Sequence, residues 1–269
     1  MKIIWPIALI TYKEGLRHRL VYGVIVASLV LIFFSIIICG LFMRDLLKIL
    51  LDICLSAVSI SGLLVPFFFA INQFSGDIEK KTIYTVLCRP VSRSQYILGK
   101  FWGLVLLSGT LILITTIATL ISVYGAGFVY PENIFTTFSI VSVLQSSFFL
   151  FLGIQILNGA VLFWCSVTTS SFLATLLTIS TYLIGHTVGD LIRFIKAQGS
   201  NVYIHPVIQE IVFSTQYIFP NLAAFDKKQE AAYGLITTQY EMLLLIAYFV
   251  LYCSVMLLTS IFFFKKRDL

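Results

Sequence analysis

The sequence predicts an all-α integral membrane protein of six transmembrane helices, preceded by an amphipathic helix at the membrane interface. Three observations predict it. Of 269 residues, 59% are hydrophobic and only 11% charged, whereas a soluble domain carries roughly 25% charged residues to solvate its surface. Charge-free runs recur along the chain, each matching the ~20 apolar residues that cross a bilayer core. Lys and Arg also concentrate in alternate connecting segments, the asymmetry that orients membrane helices.

The first element, residues 1–19, reads as a helix lying along the cytoplasmic membrane surface. Ile3, Ile4, Ile7, Ile10 and Leu16 supply apolar contact, Trp5 suits the headgroup level, and Lys13, Arg17 and Arg19 reach lipid phosphates. Charges interrupt its apolar run and no small-residue cleavage pattern follows the first span, so it is not read as a cleavable signal peptide. The spans follow at 20–43, 53–74, 95–124, 138–164, 171–189 and 241–264. Residues 133–189 hold no Lys, Arg, Asp or Glu, too long a run for one span and enough for two. The Ser/Thr-rich patch Ser166-Val167-Thr168-Thr169-Ser170-Ser171 marks the hinge between them.

Six spans put both termini on one side. With the termini in the cytoplasm, twelve Lys/Arg fall inside and six outside. This bias puts both termini in the cytoplasm, and the net charge of +6 then reads as topology. No folded soluble domain displays the basic residues to a nucleic acid.

Between spans 2 and 3, residues 75–93 form a charged cytoplasmic island. Asp77 to Leu87 suits a short amphipathic helix: Ile83, Val86 and Leu87 share one face, while Asp77 and Lys81 pair four apart on another. Asp77 and Glu79 near its start suit the helix dipole. Pro90 ends it, because the residue before a proline, Arg89, is pushed out of helical geometry. Ser92 and Gln95 then form a capping box that opens span 3. Residues 190–239 form the longest outer loop. There Val207, Ile208, Ile211 and Val212 recur at helical spacing, and Pro206 and Pro220 punctuate the segment. Short helices on the outer leaflet are expected.

The chemistry that is missing narrows the function. Gly99-Lys100 is followed by Phe101 and so makes no P-loop, and Gly125-Ala126-Gly127 lacks the third glycine of a dinucleotide fingerprint. His18, His186 and His205 are far apart, and the five cysteines form no C-x-x-C pair. The span interiors offer no convincing charged group of the kind ion-coupled transporters use. No metal, bound cofactor or catalytic constellation is expected on this chain.

Five separate places carry a resemblance. They are Thr11-Tyr12-Lys13-Glu14-Gly15-Leu16-Arg17; the island with Thr82-Ile83, Arg89-Pro90-Val91-Ser92-Arg93 and Gly99-Lys100; Tyr182-Leu183-Ile184-Gly185-His186; Phe219-Pro220-Asn221-Leu222; and the closing Lys265-Lys266-Arg267-Asp268-Leu269. Together they resemble the permease subunits of type-2 ABC transporters, most of all the permease of the nitrous oxide reductase maturation system. One departure is Lys81, where relatives carry glycine before the threonine.

The resemblance implies a permease subunit of an ATP-binding cassette exporter. Residues 75–91 would be the coupling helix that docks in a groove of a separate cytoplasmic ATPase. Asp77, Glu79, Lys80, Lys81 and Arg89 would be its polar contacts, with Ile83 and Leu87 its apolar docking points. MgATP would sit on the partner ATPase, and a second permease copy or a homologous permease would complete the pathway. A periplasmic or accessory protein is compatible with this picture. The alternative is a non-transporting membrane scaffold or anchor of an enzyme complex, with the island as a static binding surface.

Overall fold

The computed structural model describes residues 4–41, 46–79, 92–130, 138–197, 210, 215 and 219–266, with backbone only at 20, 75, 77–79, 190 and 193–197. Among the described residues the ordered elements are helices, and six are long and apolar enough to cross a membrane. The protein is an all-α integral membrane protein.

Helix α1 (Ile4–Arg17) ends at His18, whose extended backbone (φ −72°, ψ 127°) turns the chain into α2 (Arg19–Cys39), the first span. The second span is one continuous helical rod of three parts. They are α3 (Leu46–Leu64), a π-helical turn (Val65–Ala70) and α4 (Ile71–Glu79). Pro66 falls at the start of the π turn; it has no N–H to donate back, so the ladder widens there.

The third span is α5 (Arg93–Val129). Its 37 residues extend about 55 Å at 1.5 Å per residue, well beyond a hydrocarbon core of about 30 Å. Helix α6 (Ile140–Val167) and α7 (Ser171–Ala197) are separated by a non-helical break at Thr168–Ser170, inside the Ser/Thr patch. A 3-10 turn (Ala223–Phe225) and the short α8 (Lys228–Ala232) precede α9 (Gln239–Lys266), the sixth span.

Helix α6 is the most enclosed span, and α9 the least. In a bilayer an apolar surface needs no burial, so polar side chains carry helix-to-helix specificity instead. Gln155 Nε2 donates to Ser108 Oγ at 2.8 Å, and Asn158 Nδ2 donates to Gln155 Oε1 at 3.1 Å, with all three residues buried. Ser260 Oγ on α9 donates to the Leu162 carbonyl at 3.0 Å, tying the most exposed span to the most enclosed one. Ser35, Cys54 and Ser122 join α2, α3 and α5 in the same way. Cys39, Cys54, Cys165 and Cys253 are buried free thiols.

Of the apolar clusters, one lies at the end near α1, with Phe69, Phe74, Tyr96, Leu107, Cys165 and Phe264, and another at the opposite end, with Cys39, Leu47, Val123, Val143 and Ala231.

Candidate functional site

The charged island begins and ends in the first of these packed ends, here called the N-terminal face. Its leading edge differs from the sequence expectation. No new helix starts at Asp77: the helical backbone of the second span continues through Asp77 to Glu79. Phe74-Ser75-Gly76 contains no proline to stop it, and a single glycine costs a helix only about 1 kcal/mol. Its trailing edge is the capping box of α5. The Gln95 N–H donates to Ser92 Oγ at 3.3 Å, and the Ser92 N–H donates to Gln95 Oε1 at 3.1 Å.

Four elements converge on these two edges. Phe74 of α4, Tyr96 of α5 and Phe264 of α9 are fully enclosed, with ring centroids 5.9 to 6.1 Å apart and the Tyr96 and Phe264 rings stacked. Beside them the Arg93 guanidinium donates to the carbonyls of Phe264 (3.1 Å) and Lys265 (3.0 Å). Carbonyls in a last helical turn lack intrahelical partners, so Arg93 caps α9 from the first residue of α5. On the other flank Gln73 Nε2 donates to Glu14 Oε2 of α1 at 2.5 Å.

Helix α1 is held close by a surface of small residues. Gly99 and Gly103 form a G-x-x-x-G pair on α5. A Cβ built on Gly99 would stand 2.7 Å from Ile7, and one on Gly103 2.4 Å from Thr11 and 2.9 Å from the Ala8 carbonyl. Small residues at this spacing let two helix backbones approach. Ala8, Thr11 and Gly15 are the buried positions of α1, so this face packs on protein. Trp5, Lys13, Arg17 and Arg19 are exposed. Asp77 and Glu79 sit on described helical backbone, while Lys80, Lys81, Ile83, Leu87 and Arg89 lie outside the described residues.

Sequence reasoning assigned no role to Arg93, Tyr96, Gln73, Glu14 or Phe264. The G-x-x-x-G spacing was the available signal for the α1 seat; the Arg93 cap left none, since its partners are carbonyls about 170 positions away.

At the opposite face two of the motifs singled out in the sequence meet. The Leu222 N–H donates to the Gly185 carbonyl at 3.0 Å, and a Cβ on Gly185 would stand 2.6 Å from the Pro220 carbonyl. The Asn221 N–H donates to the Tyr248 hydroxyl at 2.9 Å. The Phe219–Leu222 stretch is thereby laid across α7 and fastened to α9. His186 packs edge-on to Tyr182, with centroids 4.9 Å apart. The Val207–Val212 helix expected in this loop lies largely outside the described residues.

The family model described as ABC-2 family transporter protein matches residues 54–269. No match to a curated protein was found. The match runs from within the second span through the charged island to the last residue, and so covers both edges of the site and, of the elements that brace them, α4, α5 and α9 but not α1. With that match over most of its length and six helices long and apolar enough to cross a membrane among the described residues, this chain belongs to the ABC-2 transporter family.

Proposed function

We propose that this chain is the permease subunit of an ATP-binding cassette exporter, driven by separate cytoplasmic ATPase subunits that bind the MgATP. The observation that carries the reading is the bracing of residues 80–91. Their two flanks are fixed to each other through Phe74, Tyr96 and Phe264, to α1 through Gln73 and Glu14, and to α9 through Arg93. A push on such a segment moves four membrane elements together, which is what a transmission point between an ATPase and a pathway needs. Within residues 75–91, Asp77, Glu79, Lys80, Lys81 and Arg89 supply the polar contacts to the ATPase, and Ile83 and Leu87 the apolar ones.

On this reading the N-terminal face is cytoplasmic, in a bacterial inner membrane. Two permeases, identical or homologous, enclose the pathway. The motifs quoted from the sequence support, within the family, a likeness to the permease of the nitrous oxide reductase maturation system. Trp5, Lys13 and Arg17 set α1 at the lipid interface, and Arg19 anchors the start of α2 there.

The test is gentle extraction from the native membrane, followed by mass spectrometry of what stays bound. A stoichiometric P-loop ATPase that is lost in Arg89→Glu is the expected result. A stable complex without any ATPase overturns the proposal and favours a membrane scaffold.

A further inference from the structure

A cavity of about 420 Å³ opens between the first and second spans, lined by Arg19, Val24 and Ala27 of α2, Val65 and Phe68 of the π turn, and Leu111 of α5. That volume falls in the roughly 300–1,000 Å³ range of ligand sites. Its wall is apolar except at two points. Deep inside, the Ser61 hydroxyl already donates to the Val58 carbonyl at 2.7 Å, so it calls for no ligand. At the mouth stands Arg19, exposed, with no hydrogen-bond or ion-pair partner among the described residues. From Arg19 to Ala27 the groove runs about 12 Å along α2, under half of the ~30 Å hydrocarbon core and so within one leaflet. Phe68 of its lining is exposed, as are Tyr22 and Val26 of the same stretch of α2, so it opens sideways.

We propose that this groove binds one anionic phospholipid, its phosphate on the Arg19 guanidinium and an acyl chain along Val24, Ala27, Val65 and Phe68. A cation at the end of a dry trough matches a charged head on an apolar tail. A second copy of this chain fits worse: a two-fold contact centred here would set two hollows face to face and bring two Arg19 cations together. The π turn gives the site a consequence, because a chain seated on Val65 and Phe68 bears on the part of the second span that leads into Gln73 and Phe74. The inference rests on the membrane-spanning fold and is independent of the ATPase reading.

The test titrates the purified full-length chain with dioleoyl phosphatidylglycerol and dioleoyl phosphatidylcholine, counting retained lipids by native mass spectrometry. The expected result is one phosphatidylglycerol held at least tenfold more tightly than phosphatidylcholine. That preference disappears in Arg19→Gln and survives in Arg19→Lys. A side chain at Gly23 meets nothing within 4 Å, so Gly23→Trp fills the trough and weakens retention of both lipids; Ala27→Trp is the second filling variant. Equal retention of the two lipids, unchanged in Arg19→Gln and in the filling variants, overturns the proposal. So does efficient disulfide linkage of two Gly23→Cys chains in the native membrane, which would make the occupant a second copy.

Discussion

Gly103 sets how closely the N-terminal helix approaches the third span. A side chain there meets the Ala8 backbone carbonyl at 2.9 Å, which cannot rotate away as a side chain tip can. Gly103→Val is therefore expected to destabilise by about 1–3 kcal/mol, the usual cost of overpacking. Gly23→Ala, placed in open space on another helix, is expected to be neutral or to gain about 0.5–1 kcal/mol from helix propensity. Unfolding midpoints of the two variants in one detergent check the contrast, and equal losses would show that the close seat is immaterial. The buried polar chain makes a second residue-scale case. Gln155→Leu removes the bond to Ser108 and leaves Asn158 Nδ2 without its Gln155 acceptor. Intramembrane hydrogen bonds average only about 0.6 kcal/mol, with a maximum near 1.7. The expected loss is thus about 1 kcal/mol, read from the same unfolding midpoints.

At the scale of elements, the π turn fixes the rotational phase of everything that follows it. An added residue in one turn rotates α4 relative to α3, so Gln73 meets Glu14 and Phe74 meets Tyr96 and Phe264 only in that phase. Pro66→Ala restores the missing N–H and lets the turn relax toward an α-helix. Disulfide yield between Glu14→Cys and Gln73→Cys is expected to fall severalfold when Pro66→Ala is added, and unchanged yield would show that the proline does not hold the phase. Helix α9 offers the complementary case. Arg93→Ala uncaps its last turn, and hydrogen exchange at residues 260–266 should quicken while the middle of the helix stays protected. The sequence made the apolar rods legible because bilayer-spanning length is written directly in charge-free runs. It made the Ser92 cap legible because a capping box is local. The π turn was hidden: Pro66 lies in an unbroken apolar run, and composition says nothing of the ladder inside it. The uninterrupted passage from the second span to Glu79 was missed for the opposite reason, since a change in polarity was taken for a change in structure.

At the scale of the whole molecule, legibility follows the range of the interaction. Helix number and membrane character depend on each segment's own transfer from water to lipid, so they stand in the sequence. The seat of α1 on Gly99 and Gly103, the Arg93 clamp and the docking of Phe219–Leu222 on Gly185 join distant segments, and one chain without its fold does not announce them. Yet these junctions give the molecule its polarity. One face fastens α1, α4, α5 and α9 to one another at the described residues that flank 80–91, while the other fastens a loop across α7 and α9. If the first face is the driven one, a reversed charge within residues 80–91 should break transmission without disturbing the membrane fold, because the aromatic and glycine contacts that hold the junction lie outside that segment. Arg89→Glu is accordingly expected to insert at the wild-type level and keep its unfolding midpoint within about 0.5 kcal/mol, the range of ordinary surface substitutions. ATP hydrolysis by the reconstituted complex should no longer respond to the permease. Insertion is checked by fluorescence of a reporter fused after Leu269, which also reads the side on which that end lies, and hydrolysis by phosphate release. Permease-stimulated ATPase activity at the wild-type level in Arg89→Glu would remove the segment from the transmission path and leave the junction a purely structural knot.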